Sequence, residues 1–147
     1  MGRANPLRWD CDSKGCFNLK KRPKIELFAE CLPGNMAFGD IDGIAELNGN
    51  FLLLEWKQSI SGDIGRGQAI MYERMASNPA WHVFVIVGDP ETMKIERYAV
   101  FHSGKMSRWK PANIDDVKER IRGWVRWAGE NNRASLYQLR RPATLSR

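Results

Sequence analysis

The 147-residue chain is 43% hydrophobic and 27% charged, which predicts one globular domain over residues 1–147 with its own core. It has no apolar run of about 18 residues, no apolar signal-peptide stretch and an odd number of cysteines, three, so we predict a cytoplasmic protein without membrane span, secretion or disulfide framework. The net charge is +6, but the charges are unevenly distributed. Residues 1–24 carry seven Lys or Arg against two acids, and residues 105–147 carry eleven against four, so an acidic middle lies between basic ends. Basic ends of this kind suit binding to nucleic acid.

The first half of the chain combines one helical pattern with three short strand patterns. Residues 1–22 are irregular and contain the basic run Lys20, Lys21 and Arg22. From Pro23, a favourable first helical residue, apolar side chains recur at helical spacing as far as Pro33-Gly34, at Ile25, Phe28, Ala29 and Leu32. Strands are predicted at 36–38, 41–47 and 51–56, with a tight hairpin at Asn48-Gly49.

The second half alternates helices and strands. Residues 63–76 form a predicted helix with one shared face, Ile64, Gln68, Met71, Tyr72 and Met75. Strands follow at 81–87 and 95–101. A last helix starts after the N-cap Asn113, with Asp116 three residues on, and extends to about residue 128 with a buried stripe, Ile114, Val117, Ile121, Trp124 and Val125. The order predicts an α/β fold with a mixed central sheet flanked by helices, a core over about 24–130 and a basic tail over 131–147.

Carboxylates follow dense apolar sequence in the middle of the chain. Alternation along a strand places Glu55 and Lys57 on one side, and Asp40 and Asp42 on one face of the preceding strand. Because the hairpin brings the two strands together, Asp42 is expected to approach Glu55 and form a pocket of carboxylates with one ammonium at its rim. Oxygen ligands of this kind suit Mg²⁺ or Mn²⁺. A Glu-x-Lys alone is equally well explained as an exposed pair at a strand end.

These residues resemble the PD-(D/E)XK nuclease superfamily. Asp42, followed thirteen residues later by Glu55-Trp56-Lys57, looks like its motif, and Asp40 to Ala45 followed by a hairpin and Leu-Leu-Leu-Glu-Trp-Lys is similar to its small resolvase-like members. The resemblance covers about residues 24–87 and departs from the motif's name in having Ile41 before Asp42. It implies a restriction-endonuclease-like αβββαβ core. It also implies a metal bound by Asp42, Glu55 and the main-chain carbonyl of Trp56, with Lys57 acting on the attacking water.

The next helix adds a second point of likeness. Gln68 and Tyr72 match the Gln-x-x-x-Tyr motif of RecB-like branches, and a spacing of four places both on one helical face. Gln68 is expected to hydrogen-bond near the metal, and Tyr72 to pack or to reach phosphate with its hydroxyl. Without the upstream motif, a core tyrosine and a boundary glutamine would be the better interpretation.

Further residues are candidates for the same site. Members of the superfamily often add a glutamate from the first helix, for which Glu30 is preferred over Glu26, and Asp40 is a second tentative metal ligand. Arg66, between Gly65 and Gly67, and the run Lys20, Lys21 and Arg22 are candidate contacts to nucleic acid. Ordinary loop glycines and solvated charges explain these residues about as well.

The cysteines, histidines and tryptophans suggest other kinds of site, which fit the sequence less well. Cys11, Cys16 and Cys31, with His82 or His102 as the fourth ligand, would form a zinc site, but the spacing is not that of zinc sites. Three cysteines are too few for an iron-sulfur cluster. The two histidines are interpreted as satisfied edge residues. Trp109, Trp124 and Trp127 are candidates for stacking on unpaired bases, although the buried stripe explains Trp124 better.

The predicted function is a Mg²⁺- or Mn²⁺-dependent nuclease that hydrolyses phosphodiester bonds in double-stranded or branched DNA. The preferred form is a structure-selective endonuclease that acts as a homodimer. An exonuclease of the RecB-like type is the alternative within the class. A non-catalytic nucleic-acid-binding module on the same scaffold is the alternative outside it. A basic interaction protein of another fold would instead hold Asp42 and Glu55 far apart.

Overall fold

A computed structural model describes residues 23–58 and 64–137 of the chain. The chain divides into two compact units, Met1–Asp40 and Ile41–Arg147. The predictions for Lys20, Lys21 and Arg22, for Cys11 and Cys16, and for most of the basic tail lie outside the described residues.

The described part of the first unit contains a short 3-10 helix, Ile25–Cys31, where the sequence predicts an amphipathic α-helix. Its start has no side-chain cap and none of its seven residues is buried, so the apolar period covers no core; Leu27 is 76% exposed. The strand predicted at residues 36–38 is wrong, because these residues pair with no strand in the described part of the chain. Apolar residues without a pairing partner do not make a strand.

The second unit is built on a mixed sheet of six strands. Its elements in chain order are β1 (Gly43–Leu47), β2 (Asn50–Lys57), α1 (Arg66–Ala76), β3 (Trp81–Asp89), β4 (Lys94–His102), β5 (Lys105–Met106), β6 (Lys110–Pro111), α2 (Ile114–Glu130) and a 3-10 turn (Ala134–Leu136). The strand order is β1-β2-β3-β4-β5, and β6 also pairs with β4. Among the strands of the described residues, β2 and β3 are the parallel pair, and α1 is the crossover between them. The α/β class and the mixed sheet are confirmed.

The hairpin predicted at Asn48-Gly49 is confirmed. Both residues have positive φ, 53° and 78°, as a type I′ turn requires. The preceding strand begins at Gly43 rather than at residue 41, so Asp40 and Asp42 are not strand residues and alternation does not orient them. Asp42 lies in a bend directly before β1.

Both faces of β2 and β3 are covered, which explains their nearly continuous apolar sequence. On one face, α1 packs through Tyr72 and Ala76 against Leu53, Val83 and other residues of the sheet. On the other face, α2 packs through Trp124 and Ala128 against side chains of the alternate strand positions, among them Leu52, Phe84 and Val100. Helices therefore flank the sheet on both sides, as predicted.

The last helix starts where the sequence predicts. Asn113 accepts a hydrogen bond from the main-chain nitrogen of Asp116, and the Asp116 side chain accepts one from the main-chain nitrogen of Asn113, each at 2.9 Å, which completes a capping box. The buried stripe holds for Val117 and Trp124, but Val125 is 45% exposed. Val125 follows Trp124 directly, so the 100° step between neighbours turns it toward solvent.

The segment after α2 returns to the β1–β2 hairpin. Asn50, which is fully buried, donates to the main-chain oxygen of Asn131 at 2.7 Å and accepts from Nε of Arg133 at 3.1 Å. The main-chain nitrogen of Arg133 donates to the oxygen of Asn48 at 2.7 Å. These contacts connect the two ends of the second unit. None of the helices in the described residues is long and apolar enough to span a membrane.

Candidate functional site

Asp42 is held against the end of β2. Its Oδ2 accepts the main-chain N–H of Trp56 at 2.6 Å. The antiparallel register pairs Gly43 with Leu54, so the next ladder position, opposite Trp56, would be Ile41. The Asp42 carboxylate takes the N–H that a continued ladder would use, which ends the strand pairing and leaves the carboxylate beside the β2 backbone.

Glu55 and Lys57 project from β2 toward α1. Alternation places them on the same face as Leu53, which belongs to the α1 cluster, while Trp56 packs on the α2 side and donates from Nε1 to the oxygen of Gly88 at 3.0 Å. Glu55 is only 6% exposed, and its Oε1 lies 3.0 Å from Nζ of Lys57. A carboxylate this deeply buried needs partners for its charge.

Two side chains of α1 supply further partners. Gln68 donates from Nε2 to Oε1 of Glu55 at 2.8 Å, and the hydroxyl of Tyr72 donates to Oε2 at 2.8 Å. The second hydrogen of the Gln68 amide reaches the Tyr72 oxygen at 3.1 Å. Glu55, Gln68 and Tyr72 thus form a closed ring of hydrogen bonds, in which both amide hydrogens of Gln68 and the hydroxyl hydrogen of Tyr72 have acceptors. The two α1 side chains therefore fix the position of the Glu55 carboxylate.

Tyr72 is a permanent donor in this ring. It is 2% exposed, and burial raises the pKa of its hydroxyl above the usual range, as do the hydrogen bond to Glu55, the charge of Glu55 and, more weakly, the charge of Asp42. Tyr72 is packed too deeply to reach a phosphate with its hydroxyl.

The donor set suits a hard cation. Asp42 is exposed and uses one carboxylate oxygen for Trp56, so the other is available, while Glu55 spends three hydrogen bonds on two oxygens that together offer about four acceptor positions. Mg²⁺ is commonly held by one or two carboxylates and keeps several waters. No group of three or more His, Cys, Asp or Glu side chains suited to a metal occurs in the part of the chain that the structure describes. Asp42 and Glu55 are the two carboxylates of this region that could hold such a cation.

Direct contacts join four of the predicted side chains, Glu55, Lys57, Gln68 and Tyr72, and Asp42 lies against the main chain of Trp56, the residue after Glu55. Arg66 is exposed at the first residue of α1, two residues before Gln68. Glu30 and Asp40 are exposed residues of the first unit, Met1–Asp40. Cys31 is exposed and makes no disulfide with any described residue.

The interpretation of His82 as a satisfied edge residue is wrong. It lies in β3, between β2 and β4, is 7% exposed, and its Nδ1 has no hydrogen-bond partner among the described residues. His102 is exposed at the end of β4, and its Nδ1 pairs with the Ser103 hydroxyl at 3.1 Å. The apolar run around His82 was the signal for a central strand.

Two features of the site were not expected from the sequence. The contact of Tyr72 with Glu55 joins residues that are 17 positions apart, and the bend at Asp42 replaces a strand. Their only sequence signals were the four-residue spacing of Gln68 and Tyr72 and the glycine at position 43. Comparison of the chain with protein-family models, with curated proteins and with solved structures finds no match.

Proposed function

We propose that this chain is a metal-dependent nuclease, with Asp42 and Glu55 as metal ligands and Lys57 beside them. The observation that carries the proposal is that Asp42 is held against the β2 main chain at the residue that follows the buried Glu55. Asp42 is bound to the N–H of Trp56, the residue between Glu55 and Lys57. A buried glutamate with a lysine and two neutral donors is costly to maintain, which favours a functional explanation over a structural one.

The main-chain carbonyl of Trp56 is the third proposed ligand. In a paired strand, the N–H and the C=O of one residue point to the same neighbouring strand. Because the Trp56 N–H is taken by Asp42, its carbonyl is directed to the same side of β2. The proposed set is therefore two carboxylate groups and one carbonyl, all of them oxygen donors.

The chain's own groups have separable roles in this proposal. A bound Mg²⁺ or Mn²⁺ would neutralise charge on the phosphate and help ionise the attacking water. Lys57, which is 23% exposed, is open enough to contact water or a phosphate oxygen while it pairs with Glu55. Gln68 and Tyr72 orient Glu55 from beneath, and the exposed Arg66 contacts the phosphate backbone at the start of α1.

The proposed scaffold is the restriction-endonuclease-like core of the PD-(D/E)XK superfamily. In its favour, Glu55 lies in the β1–β2 hairpin and Asp42 directly precedes it, α1 carries Gln68 and Tyr72, and α1 connects two parallel strands. The proposed substrate is DNA, because the net charge of +6 supplies affinity for phosphate without base recognition. Internal cleavage and a preference for branched forms are proposed from the resemblance to resolvase-like members of the superfamily.

The test is cleavage by the purified full chain of covalently closed circular, linear, flapped and four-way DNA, with Mg²⁺, Mn²⁺ or a chelator. Closed circles have no ends, so their cleavage separates endonuclease from exonuclease action. We expect Asp42→Asn and Glu55→Gln to reduce cleavage by roughly two orders of magnitude or more.

The matched control is Glu73→Gln, which removes one exposed carboxylate next to Tyr72 on α1 and should leave cleavage unchanged. Metal-independent cleavage, or equal activity of Asp42→Asn, Glu55→Gln and Glu73→Gln, would refute the proposed site. DNA binding without cleavage under every metal condition would favour the non-catalytic module.

A further inference from the structure

A cavity lies on the face of the sheet opposite Glu55, between α2 and strands β3 to β5. Its volume is about 460 Å³, within the range of small-molecule sites. Phe84, Val100 and Trp124 form its buried floor. These residues belong to the α2 side of the sheet, whereas Glu55 faces α1, so the cavity is separate from the proposed nuclease centre.

The rim of the cavity is cationic. Lys105 and Arg120 are exposed on it, and none of the described residues that line it is acidic. The Arg120 guanidinium carbon lies 5.9 Å from the centre of the Phe84 ring, which directs it over the floor. Burial, His102, Arg120 and Arg133 lower the pKa of His82, which also lines the cavity, to about 4. The cavity thus favours an anion.

One wall of the cavity is a continuous set of aromatic rings. His82 and His102 stack with their centroids 4.6 Å apart and their planes 17° apart, and Trp127 meets His82 edge to face at 4.7 Å. His102 is exposed, so another flat ring can extend this stack. A planar aromatic group fits this wall.

Two buried nitrogens belong to side chains of the same cavity. His82 Nδ1 and Trp124 Nε1 have no hydrogen-bond partner among the described residues, although both residues are more than nine-tenths buried. Such atoms are uncommon in folded proteins because an unpaired buried donor is costly. Trp124 Nε1 is a donor, whereas His82 Nδ1 donates or accepts according to the tautomer of its ring, so the cavity has polar groups that no described residue satisfies.

We propose that this cavity binds a nucleoside monophosphate unit, with the base stacked on the His102, His82 and Trp127 wall and the phosphate at Arg120 and Lys105. The unit is either a free nucleotide or one nucleotide of a single strand. The proposal needs no metal and does not depend on the nuclease centre.

The experiment titrates the full chain, in chelator and at constant salt, with adenosine 5′-monophosphate, adenosine, inorganic phosphate and a short single-stranded oligoadenylate. Binding is followed by calorimetry and by the NMR signals of Trp124 Nε1–H and the two histidine rings. Arg120→Gln is compared with Arg122→Gln, which removes the same charge from the same helix but does not line the cavity.

We expect the monophosphate to shift the NMR signals of the cavity residues saturably, and adenosine and phosphate to bind more weakly. Arg120→Gln should bind the monophosphate about tenfold more weakly than the unchanged protein, whereas Arg122→Gln should weaken binding by less than about twofold. Shifts of the same signals by the oligonucleotide alone would identify a strand as the source of the unit. The proposal is overturned if neither the monophosphate nor the oligoadenylate shifts these signals. It is also overturned if phosphate binds as tightly as the monophosphate, or if Arg120→Gln and Arg122→Gln weaken binding equally.

Discussion

The hydroxyl of Tyr72 donates to Oε2 of Glu55 at 2.8 Å, from a position in the core beneath the carboxylate. This contact joins the middle of α1 to the end of β2. It couples packing to the site, because the ring of Tyr72 also meets Phe101 edge to face, with centroids 5.5 Å apart. A residue that stabilises the core therefore also orients the proposed metal ligand.

Replacing Tyr72 by Phe keeps the ring and removes only this donor. We expect unfolding in urea to show a loss of about 1–3 kcal/mol, since a hydrogen bond to a charged group is lost. If Tyr72 positions Glu55, the nuclease activity should also fall, and kcat should fall more than KM rises. Tyr98→Phe, on the other face of the sheet, is the control. Unchanged stability and activity would show that the contact has no role.

The pair of Glu55 and Lys57 is suited to a double-mutant cycle. Glu55→Gln, Lys57→Met and the double variant should give a coupling of about 1–2 kcal/mol in urea unfolding, reduced from the value for a fully buried pair because Lys57 is partly exposed. The matched cycle on Glu119 and Arg126, an exposed pair on α2, should give a smaller coupling. Equal couplings would mean that burial adds nothing to the first pair.

Asn50 is predicted to stabilise the connection between the hairpin and the segment after α2. Asn50→Ala removes its bonds to Asn131 and Arg133 and leaves both groups unpaired, so we expect a loss of about 2–4 kcal/mol in the free energy of unfolding. Asn132→Ala, at an exposed neighbour, should cost less than about 1 kcal/mol. A small effect at Asn50 would show that water replaces its contacts.

His82 should make the protein sensitive to acid. Its pKa is lowered to about 4 by burial and by the charges of His102, Arg120 and Arg133, so folding favours the neutral ring. The neutral ring therefore contributes fully to the free energy of unfolding above about pH 6.5, the pKa of histidine in an unfolded chain. This contribution is lost as the pH falls toward 4, because the unfolded chain then binds a proton that the folded protein does not.

His82→Gln, which stays neutral, should remove this part of the pH dependence. The wild-type free energy of unfolding should fall relative to that of the variant between about pH 6.5 and 4, by at most about 3 kcal/mol and by less where solvent screens the ring. Parallel curves for the two proteins over this range would contradict the assignment.

Local sequence accounts for much of the fold. The capping box at Asn113 and Asp116 and the turn at Asn48-Gly49 involve neighbouring residues, so their geometry follows from a few side chains and backbone preferences. The dense apolar run at residues 81–87 predicted a strand, and the structure covers both faces of that strand, β3. The presence of Asp42, Glu55 and Lys57, and their place around one hairpin, could also be predicted from the sequence.

Other features depend on contacts between distant residues. The apolar period at Ile25–Cys31 predicted an α-helix, but its residues are not buried, and without a covering surface periodicity alone does not select that helix. Asp42 lies outside β1 because its carboxylate accepts the Trp56 N–H. Glu55 receives hydrogen bonds from Gln68 and Tyr72 because α1 packs against the face of the sheet from which Glu55 projects. The sequence determines which side chains are available for these contacts. Whether they come into contact depends on the free energies of burial and hydrogen bonding summed over the whole sheet.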